Sequence, residues 1–323
     1  MKSTKKILSM IVALLLVAAL ACSALGEGVT VRVGALKGAT SMGLVKLLHD
    51  SETGESDIAC EFTMAAAADE LTPLFLQGKL DVLAAPANLA AILYNKTGGA
   101  VKFVAINTLG LLYIVEKNGE TINALEDLKG RTLYATGKGT TPEYALTYLL
   151  SQHGLTLGQD VLVEWKSEPT ETIAAMSLEE NAVAMLPQPF VTAALASNPD
   201  LRVALNLNEE WTALDNGSLF ITAGLMVRAD FAKEHPEELA AFLKEYQAST
   251  QYLNENPTEA APLVEAAGIV KAAVAEKAIP FCNIAYLDGE EMKTAAQAYY
   301  QILFEQNPAS VGGTLPGEDF YAY

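Results

Sequence analysis

Thiol, imidazole and metal chemistry have little to work with in this sequence. It holds three histidines and three cysteines in 323 residues. His49, His153 and His235 lie far apart beside acidic residues, and none belongs to an H-E-x-x-H or other metal-ligand spacing. Each reads as a solvated surface histidine. There is no G-x-S-x-G elbow for a nucleophilic serine, and no G-x-G-x-x-G follows the first strand pattern. Gly137-Lys138-Gly139-Thr140-Thr141 looks like a phosphate loop but fails the Walker spacing. No Ser or Thr directly follows Lys138, and Thr132 stands where the first Gly belongs. No catalytic residue, metal or cofactor is expected.

What the sequence does repeat is a strand that ends in small or polar residues and opens a helix. The loops are Lys37-Gly38-Ala39-Thr40-Ser41, Pro86-Ala87-Asn88, Thr136-Gly137-Lys138-Gly139-Thr140-Thr141 and Pro187-Gln188-Pro189. In an open α/β sheet the carboxyl ends of the strands face a common crevice where ligands bind. Helix starts bring unpaired N–H groups and partial positive charge to that crevice. Glycine lets backbone approach closely, and Ser, Thr and Asn add adjustable hydrogen bonds. One such loop is also an ordinary helix start: Thr140 with Glu143 is a capping box, and Pro142 suits a first turn. Four in one chain point to a ligand crevice.

The group such loops would hold is acceptor-rich or anionic. Thr40, Ser41, Asn88, Thr140 and Thr141 are the expected donors. Lys37 and Lys138 are the cations of these loops, and Met42, Met64 and Phe190 are apolar candidates. A neutral or cationic heterocycle stacked on Phe190 is the alternative.

The elements that must carry these loops alternate. Strand patterns at Val29–Val33, Cys60–Met64, Asp81–Ala85 and Lys102–Ile106 are separated by helical patterns, such as Asp69–Gln77 with Leu71, Leu74 and Phe75 on one face. A second series follows: strands Leu111–Val115, Arg131–Ala135, Val161–Trp165, Ala182–Leu186 and Leu201–Leu205, with helices at Pro142–Leu150 and Thr170–Leu178. Leu219–Ala223 gives one more strand, continued past Gly224, before a largely helical tail. Strands alternating with helices imply right-handed βαβ units and mainly parallel sheets. No Gly/Ser or Pro-rich linker separates the two units, so the crossings are expected to be strands.

Composition narrows the rest. Hydrophobic residues make up 51% and charged residues 19%, which excludes a disordered chain. With 21 basic and 39 acidic residues, the net charge of −18 lacks the basic footprint of nucleic-acid binding. Met1–Gly26 reads as an export signal: Lys2, Lys5 and Lys6, then an apolar run from Ile7 to Leu20 broken by Ser9, then small residues. That run is short for a membrane span. Two cleavage outcomes stand: Ala19-Leu20-Ala21 before Cys22, a candidate lipid-carrying cysteine, or Ala24-Leu25-Gly26, giving a free Glu27. Lipid on Cys22 would be the one membrane attachment. Cys60 and Cys282 read as two buried thiols, with a disulfide as the alternative.

Several of these segments resemble a known family. Asp69-Glu70-Leu71 through Gly78-Lys79-Leu80-Asp81-Val82, followed by Ala85-Pro86-Ala87-Asn88-Leu89-Ala90, is similar to the solute-binding proteins of bacterial ABC importers. The nitrate/sulfonate/taurine and thiamine-precursor group is the nearest type. Asp127-Leu128-Lys129-Gly130-Arg131-Thr132 resembles that family's DLKGK strand entry, and Ala184-Met185-Leu186-Pro187-Gln188-Pro189 its late strand end. Gln188 stands where relatives often have an acidic or aromatic residue.

The resemblance implies an α/β, two-lobed, periplasmic-binding-protein-like (type 2) clamp with two hinge crossings. Residues 27–114 plus 225–323 would form lobe one and 115–224 lobe two, with hinges near Tyr113–Glu116 and Ala223–Gly224. It implies an extracytoplasmic protein that captures a small molecule for an ABC permease and ATPase, without catalysis. The candidate ligand set is Lys37, Thr40, Ser41, Met64, Pro86, Asn88, Asn107, Gly137, Lys138, Thr140, Thr141, Gln188 and Phe190. The rival readings are an enzyme on the same fold, as in relatives of thiamine-pyrimidine synthesis, and a ligand-sensing module.

Overall fold

The computed structural model describes residues 29–321; the export signal and Cys22 lie outside them. The first series runs β1 (Val31–Leu36), α1 (Ala39–Met42), α2 (Val45–Thr53), β2 (Cys60–Ala65), α3 (Ala68–Leu76), β3 (Val82–Pro86), α4 (Ala87–Thr97) and β4 (Val101–Leu109). The second runs β5 (Leu112–Lys117), β6 (Thr132–Thr136), α5 (Thr141–Gln152), β7 (Leu162–Lys166), α6 (Pro169–Leu178), β8 (Val183–Pro187), α7 (Phe190–Ser197) and β9 (Leu201–Asn206). Then come α8 (Leu207–Ala213), β10 (Ile221–Arg228), α9 (Ala229–Glu234), α10 (Pro236–Glu255), α11 (Pro257–Ala266), α12 (Ala272–Ala278), β11 (Ile284–Leu287) and α13 (Gly289–Gln306).

The strands form two sheets, ordered β11-β4-β10-β3-β1-β2 and β7-β6-β8-β5-β9. Burial follows position. The edge strands β2 and β7 alternate exposed and half-buried residues, as one covered face requires. β3, β8 and β10 are mostly apolar runs buried on both faces. Pro86 and Pro187 end β3 and β8, since proline cannot donate to a further rung.

Two expectations are corrected. The sheets are mixed rather than mainly parallel. β1–β2, β1–β3, β6–β7 and β6–β8 are parallel. β10 is antiparallel to β3 and β4, and β5 to β8 and β9. Each is the strand that follows a crossing, and it enters its new sheet reversed. The second correction concerns where the chain crosses. Leu112 pairs with Pro187 and Tyr113 with both Leu186 and Asn206, so the second sheet has begun before residue 114. Ile221, Ala223 and Gly224 already pair with β4. The boundaries expected at 114/115 and 224/225 therefore fall inside β5 and β10. The sheet changes at Gly110–Leu111 and again between Asn206 and Ile221. The two crossings touch: a Cβ on Gly110 would lie 2.3 Å from Asn208 Oδ1 and 2.6 Å from Phe220 Cδ1.

From Val31 onward the chain packs as one compact unit. In the six-stranded half, Phe103 stacks on Phe320 at 5.7 Å between centroids, and Tyr300 and Tyr94 meet Phe320 edge-on or tilted. The last described residues thus seal the first sheet. In the second half, Glu116 is buried. Burial pushes its carboxyl up, but hydrogen bonds from Thr121, Arg202 and Ile122 outweigh that and hold it below the usual carboxylate range.

Cys60 and Cys282 are free thiols; Cys282 is buried as expected, whereas Cys60, on edge strand β2, is only half-buried. Burial, with Glu245 nearby, pushes the Cys60 thiol up to about 12, and burial raises Cys282 as well. A thiol with that pKa is about one part in ten thousand thiolate at pH 8. Iodoacetamide at pH 8 followed by peptide mapping is therefore expected to leave both unlabelled in the native protein and to label both in denaturant. Rapid native labelling of either would contradict the burial described.

Candidate functional site

The carboxyl ends of β1, β2 and β3 face those of β6, β7 and β8 across a cleft of about 400 Å³. Six strand-to-helix turns supply its wall.

Three come from the first sheet. In Leu36–Thr40, Gly38 has φ +135°, a conformation that favours glycine, and it turns the chain from β1 into α1. Ala66–Asp69 opens α3, and Asp69 is the one carboxylate in the wall. Pro86 opens α4. The second sheet adds Thr136–Thr140, where Gly137 has φ +86° and Thr140 Oγ1 donates to the Gly137 carbonyl at 2.7 Å. It adds Lys166, Ser167 and Pro169, with Ser167 N–H donating to Glu171 Oε2 at 2.9 Å. It also adds Pro187, Gln188 and Phe190. Gln188 Oε1 accepts from Thr192 N–H at 3.3 Å and from Thr192 Oγ1 at 2.8 Å. Phe190 reaches across: a Cβ on Gly38 would lie 3.5 Å from its ring. Leu111, Leu112, Thr222 and Ala223 form the floor beside the crossings.

The wall carries three lysines and one carboxylate although the chain as a whole is acidic. Lys166 Nζ sits 5.2 Å over the Tyr134 ring and 3.3 Å from Glu164. Lys37 and Lys138 are exposed. Helix starts leave their first N–H groups without intrahelical backbone partners, although here the Glu70, Glu143 and Glu171 carboxylates already accept from the N–H groups of Ala67, Gly139 and Ser167. This arrangement suits a small anion or acceptor-rich group.

Eight of the thirteen expected ligand residues line the cleft: Lys37, Thr40, Pro86, Gly137, Lys138, Thr140, Gln188 and Phe190. Five are placed elsewhere. Ser41 is fully buried and donates to the Gly38 carbonyl at 3.1 Å. Met64 sits on edge strand β2 and packs on the core. Asn107 is buried in β4, where its Nδ2 donates to the Thr40 carbonyl at 3.1 Å, so it braces the first turn from behind. Asn88 and Thr141 are fully buried and bonded to each other. The donor expectation changes with them. The hydroxyls of Ser41, Thr140 and Thr141 spend their protons inside the protein. Backbone amides, the lysines and Gln188 carry what remains.

The sequence reading missed Ala66–Asp69 and Lys166–Pro169. Both obey the rule that found the other loops, a strand end opening a helix. Among the described residues, no group of three His, Cys, Asp or Glu side chains is placed to hold a metal ion, and no helix is long and apolar enough to cross a membrane.

The family described as ABC transporter, phosphonate, periplasmic substrate-binding protein matches residues 51–278. No curated protein matches the chain. Solved structures share the fold. A Parabacteroides distasonis protein described as an ABC transporter is 25% identical, with a TM-score of 0.75 over 91% of this chain and 99% of its own. The alkanesulfonate-binding protein SsuA of Xanthomonas axonopodis pv. citri, bound to MOPS, is 17% identical, with a TM-score of 0.69 over 92% and 98%. The aliphatic sulphonate binding protein SsuA of Escherichia coli is 16% identical, with a TM-score of 0.70 over 89% and 92%. These agree with the resemblance read from the Asp69–Ala90 and Asp127–Thr132 segments. With more than half of the sequence matched, the chain belongs to the phosphonate family of periplasmic substrate-binding proteins of ABC transporters.

Proposed function

We propose that the cleft takes a small organic anion with a tetrahedral oxyanion head, of the phosphonate or sulfonate kind, for delivery to an ABC permease. The observation that carries this is the convergence of six strand-to-helix turns with Lys37, Lys138 and Lys166 on one wall. A helix start adds about 0.3–1 kcal/mol for a negative charge, and a hydrogen bond to a charged group contributes about 1.5–3 kcal/mol. A few such contacts, with Phe190, Leu111 and Pro86 against the apolar remainder, reach micromolar binding at roughly −8 kcal/mol. The MOPS carried by the Xanthomonas neighbour belongs to the same class.

In this reading the protein does not catalyse. The cleft wall holds no histidine or cysteine. The two sheets act as lobes, residues 31–110 with 221–321 against 112–206, and close about the paired crossings. Met1–Gly26 directs export, consistent with a periplasmic family.

A thermal-shift panel of methylphosphonate, ethanesulfonate, taurine, MOPS, nitrate and a pyrimidine tests it. At a hundredfold excess over Kd a ligand adds about 2.7 kcal/mol of stability. Phosphonates or sulfonates are expected to raise Tm. The combined Lys37→Met, Lys138→Met, Lys166→Met variant should weaken them at least about tenfold. Stabilisation by cationic or apolar compounds alone would overturn the reading.

A further inference from the structure

Asn88 follows the lining residue Pro86 by two positions and Thr141 follows Thr140 by one, on opposite sides of the cleft. Asn88 is in the first turn of α4, in the six-stranded half. Thr141 opens α5, in the five-stranded half. Both are fully buried. Thr141 Oγ1 donates to Asn88 Oδ1 at 3.3 Å, and the Asn88 backbone N–H points at the same hydroxyl at 3.5 Å. The asparagine is held ready for this bond by its own half. Its Nδ2 donates to the Ser310 carbonyl at 3.1 Å, and buried Ser310 is fixed in turn by Oγ donating to the Leu303 carbonyl at 2.9 Å. A carbonyl can only accept, so the amide orientation is settled and Oδ1 must face Thr141. Tyr299 of α13 adds a third buried group beside Thr141, and its hydroxyl stays outside hydrogen-bond geometry.

We propose that Asn88 and Thr141 form a latch that sets ligand affinity without touching ligand. The argument rests on the reading of the two halves as lobes that close on an anion. In the closed arrangement the two side chains satisfy each other away from water. In an open arrangement water satisfies both. Removing the hydroxyl therefore leaves Asn88 Oδ1 and N–H buried and unpaired only when closed, and an unpaired buried group costs more than a hydrogen bond contributes. A protein whose binding-competent state is less populated binds every ligand more weakly by the same factor. A residue that touches ligand changes affinities unequally instead. The pair is a positioning device, distinct from Thr140, which is adjacent in sequence but lines the wall.

The test is calorimetry with ethanesulfonate, methylphosphonate, taurine and MOPS, on wild type, Thr141→Val and Thr141→Ser. Valine keeps the shape and removes the hydroxyl; serine keeps the hydroxyl. Thr141→Val is expected to raise Kd about tenfold for every compound the wild type binds, with their order unchanged. Thr141→Ser is expected to stay near wild type. An unchanged Kd in Thr141→Val, or loss confined to one compound, would overturn the latch. Small-angle scattering of the ligand-free proteins decides it independently of the panel. Thr141→Val should show a radius of gyration equal to or larger than wild type, and a smaller radius would also overturn the latch. Wild type binding none of the four would overturn the anion reading, while the scattering comparison still decides the latch.

Discussion

Asp81→Ala is expected to cost about 2–3 kcal/mol. Asp81 is 1% exposed, and its carboxylate accepts three hydrogen bonds from Arg32 and makes an ion-pair contact with Arg228. Its Oδ2 accepts from Arg32 Nε at 2.8 Å and from the Arg32 backbone N–H at 3.0 Å. Its Oδ1 accepts from Arg32 Nη2 at 2.5 Å and lies 3.7 Å from Arg228 Nη1. The ion pairs alone would contribute modestly, because Arg32 keeps contact with water. The cost comes from what alanine leaves behind, chiefly a backbone N–H without its acceptor and Arg32 without its carboxylate, since Arg228 keeps its pair with Asp230. Three strands are involved at once, since Arg32 lies in β1, Asp81 enters β3 and Arg228 ends β10. Urea unfolding should show a lower midpoint with an unchanged slope. A loss below about 1 kcal/mol would show that water replaces the carboxylate at no penalty.

Gly224→Ala is expected to destabilise by about 3 kcal/mol, a fall in Tm on the order of 5–10 °C. A Cβ there would lie 2.3 and 2.4 Å from Phe103 ring carbons and 2.6 Å from the Ala105 carbonyl oxygen. Neither can yield. Phe103 is held between Phe320 and Tyr300, and the carbonyl belongs to the neighbouring strand β4. Gly34→Ala is the control. Its Cβ would meet only the ends of the Leu80 and Leu83 side chains, at 2.6 and 3.1 Å, and flexible ends can move. A thermal melt by circular dichroism separates the two. Equal losses would show that contact distance, not rigidity of the neighbour, decides the cost.

The alternation of strands and helices was legible because apolar periodicity changes from two to 3.6 between them. Turns 37–41, 136–141 and 187–189 were legible because Gly and Pro mark abrupt changes of direction. What each side chain in those turns faces was not. Thr140 and Thr141 are the same residue type, yet one lines the cleft and the other faces Asn88. About 100° of rotation per residue separates helical neighbours, and composition carries no trace of which way the first turn is set. Met64 shows the same limit on a strand, where a one-residue step reverses the face. The orientation of β5 and β10 was hidden for a different reason. Both are mostly apolar, Leu112–Val115 in β5 and Leu225–Val227 in β10, and such a run reads alike whether its partners lie parallel or antiparallel. The loops at Ala66–Asp69 and Lys166–Pro169 passed unnoticed although they obey the same rule.

The placement of β10 also orders events in time. The second sheet is drawn from one unbroken stretch, residues 112–206, and has every strand once Asn206 has been made. The first sheet does not. β3 and β4 never touch; β10 lies between them, and it arrives more than a hundred residues after β4 ends. Until Arg228 is available, β3 and β4 each present an unpaired edge, the surface on which chains join one another. The half that comes first in the chain is thus the half that must finish last, and its long-range pairing makes the final step slow. A chain cut short anywhere before Ile221 would hold one finished sheet and one open one, a form suited to capture by chaperones or to aggregation.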